Sequence, residues 1–468
     1  MVSRKAEFLE YSSEITDTDL APDFDYDHIL NRHSDILSSV ININWKDLLL
    51  FSNKTGRTWS STHGKKGLTS YSFSGAIRFS DFDFFRNTDI ISNGKIRSSV
   101  SRNYIEVPVI TNYNNYSSSI FKINDVVNYF THNYRYQNTN IIPEKIKSFN
   151  IGLDVGLFNN RISATGDWYI SKNTNVIASV QNDEEFMLIN AGNTHTKGWE
   201  FEINFRYYRS QIRYDTKLSF TRFNTIVDEI DHNYISLAGL EDMSAVMIEN
   251  QPYGVFYGSK YLRDPAGNKI IGNDGYPLVD PEKGIIGNPN PEFILGWNQE
   301  FDYRNLYLTI LAEYKHKGDI WNGTRNTMNY FGTSSETGSL RGISNYIFDG
   351  VTSDGNINTI PVDFANPVSD YNSNYWLRYG KTGVAEDAVE DGSYLKIREI
   401  KIGYIFPERI IRFCNMELYL YGRNLITLTH YSGIDPETTL NSTSNGTGID
   451  YFNLPSSRSI GIGLELSY

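Results

Sequence analysis

The chain has 468 residues, 14% of them aromatic, with 36 glycines, a formal charge of −12 and a single cysteine, Cys414. That balance argues against a nucleic-acid partner, which needs clustered Lys and Arg, and one cysteine excludes an intrachain disulfide or a cysteine-based zinc site. A mean hydropathy of −0.42, with no run of ~18 apolar residues, excludes ordinary transmembrane helices but not membrane-crossing strands, which show lipid only every second side chain.

The first residues, MVSRKAEFLEYSSEITDTDLAPDFDYD, set carboxylates and hydroxyls where a secretory signal needs an apolar core of about 7–15 residues. Residues 1–39 are otherwise weakly patterned and read as an N-terminal segment of the strand-rich region that follows. From SSVININWKDLLLF onward, strand-like stretches come in pairs. SYSFSGAIRF and GKIRSSVS are joined by a moderate link. IKSFNIGLDVGLF and RISATGDWYIS are separated only by Asn159 and Asn160, a tight-turn pair. GWEFEINFRYY turns into IRYDTKLSFTRF at Arg209, Ser210 and Gln211, and FILGWNQEFDY into LYLTILAEYKH at Arg304 and Asn305. YLKIREIKIGYIF is joined to MELYLYGRNL by PERIIRFCN.

Between these hairpins lie long polar stretches at 103–147, 172–196, 224–291, 319–392 and 426–456. Alternation of short turns with long loops is the signature of an outer-membrane barrel, with turns on the periplasmic side and loops outside. The faces agree: Trp199, Phe201, Ile203, Phe205 and Tyr207 alternate with Glu200, Glu202, Asn204 and Arg206. In the last strand Ile460, Ile462, Leu464, Leu466 and Tyr468 alternate with small or polar residues, and turn parity brings Tyr468 to the periplasmic rim. The fold class that follows is all-β, an antiparallel transmembrane β-barrel portion of about 12–14 strands with long extracellular loops. A soluble sandwich alternates equally well, but does not confine its long loops to one side.

No catalytic constellation is present. His195, His316 and His430 stand apart from nucleophile motifs, and the carboxylate runs at 183–185, 241–242 and 386–391 suit solvated loops. The Asp/Asn/Gly-rich stretches 264–280 and 349–358 do not follow the ligand order of a calcium loop and read as turns. No cofactor or metal motif is expected. In the long loops Trp321, Tyr330, Phe331, Tyr375 and Trp376, with Asn322 and the nearby Tyr379, lie among Asn, Gly, Ser and Arg. This mixture can stack on sugar rings or clasp peptides; it can equally pack the loops on one another.

The hairpins and the loops between them carry a more specific pattern. NIIPEKIKSFNIGLDVGLFNNRISATGDWYISKNTNVI, NAGNTHTKGWEFEINF, GIIGNPNPEFILGWNQEFDYRNLYLTILAEYKHKGDIWNGTRNTMNYFGTSSETG, DGSYLKIREIKIGYIFP and LYLYGRNLITLTHYSGIDPE follow one another in an order that resembles the barrel of SusC/RagA-type TonB-dependent outer-membrane transporters of Bacteroidota. The likeness covers most of residues 68–468. It implies an outer-membrane importer of oligosaccharides or peptides, with a SusD-like surface lipoprotein as lid and the TonB system as motor. It also implies that Leu464, Leu466 and Tyr468 form the strand that the insertion machinery recognises. The family's signal, plug and TonB-contacting segment are not recognisable here. Residues 1–468 therefore read as the C-terminal portion of the barrel without a plug domain, expected to form an open or poorly closed sheet or to close its last strand on an N-terminal segment that is not its native neighbour, with coupling to TonB only through the plug. A self-contained passive porin or adhesin barrel is the alternative.

Overall fold

Fourteen strands of the computed structural model form one sheet whose spatial order copies their order along the chain. The structure describes residues 2–11, 28–62, 66–86, 90–107, 114–123, 126–135, 140–182, 185–366, 374–380, 383–407, 414–437, 439–440 and 446–467. The strands are β1 (Val2–Tyr11), β2 (His28–Trp45), β3 (Leu49–Ser60), β4 (Leu68–Ile77), β5 (Ile91–Ile105), β6 (Glu144–Leu157), β7 (Ile162–Asn182), β8 (Glu185–Arg209), β9 (Ile212–Ile230), β10 (Phe293–Tyr303), β11 (Leu306–His316), β12 (Tyr394–Phe406), β13 (Asn415–Thr429) and β14 (Ser459–Ser467). Neighbours are antiparallel through β1–β5 and again through β9–β14. The order is linear, with β1 and β14 as its two ends.

Local chemistry explains the tight turns. Lys46 and Asp47, in the three-residue connection between β2 and β3, take φ of 52° and 56°, positive values that match the centre of the turn closed by the Leu48 N–H on the Trp45 carbonyl to the twist of its strands. The Asn44 side chain accepts the Asp47 N–H at 2.9 Å and holds the turn closed. Asn159 and Asn160 adopt φ of 59° and 58°, which Asn tolerates better than most residues.

The chain divides into two compact units. The first comprises Met1–Val155, Asp167–Lys197 and Ile226–Ile235. On its polar face Arg97 is a hub: its Nη1 and Nη2 donate to Asp167 at 2.6 and 2.5 Å and its Nε to Asp154 at 3.2 Å, while Lys95 pairs with Asp154 at 2.9 Å. Its apolar side chains Leu37, Ile41 and Ile43 are all more than half exposed.

One expectation from the sequence is corrected here. The stretch 172–196 is not a loop, because β7 and β8 run 21 and 25 residues and occupy nearly all of it. A tilted strand crosses the hydrocarbon in about 9–11 residues, so these two continue well beyond it. Past the lipid no face must be apolar, and the alternation that marks a strand disappears although pairing continues. Buried Glu144 serves this extension, accepting from Asn173 Nδ2 at 2.7 Å and from the Ile177 N–H at 2.8 Å. The stretch 103–147 likewise contains a hairpin of Asn114–Ile123 with Val126–Arg135.

The second unit comprises Gly156–Gly166, Gly198–Thr225 and Ser236–Tyr468. Along β8 the side chains Trp199, Phe201, Ile203, Phe205 and Tyr207 are 37–50% exposed. So continuous an apolar surface is a liability in water and the expected outer face of a membrane barrel. The buried cores lie instead in the connections. One cluster is Met243, Ala245, Phe256, Trp321, Ala385, Ala388 and Ile449; the other is Tyr261, Tyr276, Val362, Phe364, Tyr375, Tyr379 and Val384. A sandwich would put its core on the sheet's apolar face. Here the long connections fold among themselves: strands Ile235–Leu240, Met243–Met247, Val255–Gly258 and Gly284–Gly287 form a four-stranded sheet, and Asp319–Asn322 pairs with both Val389–Asp391 and Ile449–Asp450.

Candidate functional site

The long connection after β11 turns back at Lys317 and Gly318 into the strand Asp319–Asn322. Trp321 is fully buried there, stacked on Tyr451 with ring centroids 6.4 Å apart. Asn322, also buried, caps the helix Gly323–Tyr330: its side-chain oxygen accepts the Arg325 N–H at 2.8 Å, satisfying a donor that a helix start leaves free. Its Nδ2 donates to Glu390 at 2.9 Å and to Ser432 at 3.3 Å, tying the connection after β11 to the one after β13.

The six residues expected to contact ligand therefore part company. Trp321, Asn322 and Tyr375 lie inside the loop cores, where Tyr375 meets Phe348 and Tyr379 at centroid distances of 4.9 and 4.8 Å. Trp376 and Tyr330 are half-buried. Phe331, 66% exposed, stands on the Tyr330 ring in an edge-to-face contact at 5.1 Å. Beside it are the partly exposed Met328 and Arg341, whose Nη2 donates to the Gly332 carbonyl at 2.8 Å. Phe331, Tyr330 and Trp376 are thus the expected residues with ring surface toward solvent. Tyr379 is buried and donates to the Pro277 carbonyl at 2.5 Å.

Of the expected membrane-insertion residues, Leu464 and Leu466 are each 59% exposed on the apolar face of β14. Tyr468 lies outside the described residues.

Among the described residues the acidic stretches make structural contacts; Asp183 and Glu184 lie outside them. Asp264 accepts the backbone N–H groups of Ala266 and Asn268 at 2.9 and 2.8 Å, closing a turn. Glu386 accepts from the Tyr261 N–H at 2.7 Å and Asp387 from the Tyr261 hydroxyl at 3.0 Å. His195 pairs with Asp228 at 2.5 Å, and His316 packs on Phe293. Among the described residues no group of three metal-ligating side chains converges.

Two arrangements were not foreseen from the sequence. The first is a row across the polar face, in which Tyr307 pairs with Gly403, Gly403 with Tyr419, and Tyr419 with Gly463. The tyrosine rings occupy the space that side chains at 403 and 463 would need. Lys401 lies 3.8 Å from the Tyr419 ring centre and donates to Glu417 at 3.0 Å, and Tyr307 donates to the same carboxylate. The alternation Tyr-x-Gly is visible in the sequence, but its registration across four strands is not.

The second is a buried ionic latch. Lys396, 1% exposed, donates to Asp435 at 2.7 Å and to Glu437 at 2.5 Å, and Arg398 bonds both Glu437 and Glu313. Tyr394 donates to Glu313 at 2.6 Å. A bulge between Ile397 and Glu399 lets successive residues Arg398 and Glu399 both reach polar partners, since the extra residue shifts the face. Burial raises the cost of the charge on Glu437, yet hydrogen bonds from Arg398 and Lys396 outweigh it and hold the carboxyl down at about 2. The latch fastens the connection after β13 to β12.

Residues 51–280 match the family model for the TonB dependent receptor-like β-barrel. TonB-dependent receptor P3 of Formosa agariphila is 26% identical over 476 residues, covering 92% of this chain and 45% of that protein. TonB-dependent receptor SusC of Bacteroides thetaiotaomicron is 21% identical over 425 residues, covering 82% of this chain and 38% of that one. The structure of the RagAB peptide importer in its closed-closed state superimposes with a TM-score of 0.68 at 17% identity, over 94% of this chain and 48% of that one. The chain thus spans less than half the length of each of these relatives.

Proposed function

We propose, for a chain that carries the β-barrel of a TonB-dependent receptor related to SusC, that it supplies wall and outer loops to an outer-membrane importer of oligosaccharides or peptides working with a SusD-like surface lipoprotein. The observation that carries this reading is the folded loop region: connections too long for simple turns have cores of their own and leave Phe331 exposed and Tyr330 and Trp376 half-buried at their edge. A passive pore has no need of such a scaffold, whereas a receptor must hold a few aromatic and hydrogen-bonding groups in fixed relation. Peptide is the first substrate class to test, because RagAB, whose fold the chain resembles, is a peptide importer.

The test is uptake by cells expressing a transporter in which this chain is joined to a plug domain, together with its lipoprotein, using labelled peptide and oligosaccharide mixtures. Energy-dependent entry of one class, reduced by Phe331→Ala, is the expected result. Entry that is insensitive to dissipating the proton gradient would overturn the reading.

A further inference from the structure

Away from Phe331, a second exposed aromatic is held on a backbone that disfavours it. Phe452, 57% exposed, has φ of 56°, a left-handed conformation rare for a bulky side chain. Its surroundings hold it there. The Phe452 N–H donates to the Thr324 hydroxyl at 2.6 Å, and that hydroxyl donates to buried Asp450 at 3.0 Å. Tyr431 also donates to Asp450, at 2.5 Å, and Asn453 Nδ2 donates to the Thr439 carbonyl at 2.6 Å. Backbone strain of this kind persists only where the surroundings over-determine it, and it concentrates where a side chain is presented to a ligand.

Another left-handed residue stands beside the first. Glu241, exposed at the turn between strands Ile235–Leu240 and Met243–Met247, has φ of 55°. Tyr451 touches both: its hydroxyl donates to the Glu241 carboxylate at 3.1 Å, and its ring meets the Phe452 ring edge-to-face at 5.1 Å. Tyr451 is itself stacked on fully buried Trp321 at 6.4 Å, so the pair is built on the core of the connections. Because one side chain bridges them, carboxylate and ring lie on the order of 10 Å apart or less, within reach of about three residues of extended chain.

We propose that Glu241 and Phe452 form a subsite for the amino-terminal end of a peptide, with its ammonium at Glu241 and an apolar side chain from its first few residues on the Phe452 ring. Charge complementarity selects this ligand. An exposed carboxylate beside a ring matches an ammonium beside an apolar group, and the ammonium gains a charge-assisted hydrogen bond. A neutral sugar would stack on the ring without using the charge, and an acidic one would be repelled by it. A lysine side chain offers the same ammonium, and blocking the terminus alone tells the two sources apart. The proposal rests on the outer-membrane importer reading and narrows its substrate to peptide.

Calorimetry on a transporter in which this chain is joined to a plug domain, together with its lipoprotein, tests it. The probe is an alanine pentapeptide led by phenylalanine, with a free or an acetylated terminus. Acetylation weakens binding about tenfold, Glu241→Gln abolishes that difference, and Phe452→Gly weakens binding of the free peptide about tenfold. Glycine takes a left-handed backbone without steric cost, so hydrogen exchange across residues 449–454 is no faster in Phe452→Gly. Faster exchange there makes the ring a packing element of the connections and overturns the subsite. Equal binding of the two peptides by the unaltered transporter, or unchanged binding in Phe452→Gly, overturns it as well. So does an acetylated peptide carrying one lysine that binds as tightly as the free one, since the ammonium is then a side chain's. Energy-dependent entry of the free peptide that neither substitution alters overturns the subsite alone, whereas entry without energy dependence overturns the importer reading.

Discussion

Tyr419 stands opposite Gly463 in the sheet and fills the volume that a side chain at 463 would claim. A ring laid over a glycine shields the neighbouring backbone and aligns two strands, and here it also supports Lys401 at 3.8 Å. Gly463→Val is expected to displace the ring and cost about 1–3 kcal/mol as an overpacking change. In a Tyr419→Ala background the same substitution should cost less, because the clash is gone. Denaturant unfolding of the four variants in detergent measures the coupling; strictly additive effects would show that the ring does not set the fit of β14.

Lys396 is the most deeply buried cation of the latch, with its side chain 2% exposed. Replacing it with Met leaves Asp435 and Glu437 without their shared cation, an imbalance that typically costs about 3–5 kcal/mol. The expected outcome is release of residues 430–437 from β12, read as rapid proteolytic cleavage there while the strand signal in far-ultraviolet circular dichroism is unchanged. Lys396→Met combined with Asp435→Asn and Glu437→Gln should recover part of the protection, since no unpaired charge remains.

The same latch predicts a pH dependence. The Glu437 carboxyl is depressed from its ordinary 4.5 to about 2, and Asp435 is shifted in the same direction. Depressed carboxyls contribute stability that is complete above the unfolded value and is lost as pH falls through the folded one. Hydrogen exchange in residues 430–437 should therefore show protection that is full above pH 4.5 and declines toward pH 2. Glu437→Gln should lower the protection above pH 4.5 and flatten its decline.

Trp321 and Phe331 were expected to share a role but sit in opposite environments, one fully buried and one 66% exposed. Trp321→Ala should open a cavity costing about 3–5 kcal/mol and make the connection after β11 protease-sensitive. Phe331→Ala should leave that connection folded and weaken binding of the transported ligand, measured by calorimetry on the intact complex. A loss of folding in both variants would remove Phe331 from the candidate site.

The contrast between these two aromatics marks what can be read from one chain. Strands were legible where lipid imposes a period of two, as in Trp199 to Tyr207, and turns where Asn159 and Asn160 supply positive φ. Strand character vanished from the pattern in β7 and β8 beyond the apolar belt, where Asn173 and Thr174 have no reason to alternate with oily residues. Inside the loops, Trp321 among Asn and Gly looks like a binding residue, because burial there arises from segments 319–322, 385–388 and 449 meeting in space. The latch is illegible for the same reason: Lys396 and Glu437 are distant in sequence and joined only by a folded connection.

The meander has an evolutionary consequence. Because every strand of the sheet lies beside its chain neighbours, loss or duplication of a two-strand hairpin brings together strands that still run in opposite directions. The sheet can then widen or narrow two strands at a time without rethreading any connection. The long connections must be exchanged together, since the core of the one between β11 and β12 is completed by Met243, Phe256, Tyr261 and Ile449 from the others. Gene-level recombination within such a fold therefore changes what is recognised outside the membrane while leaving the spanning architecture legible to the same pairing rules.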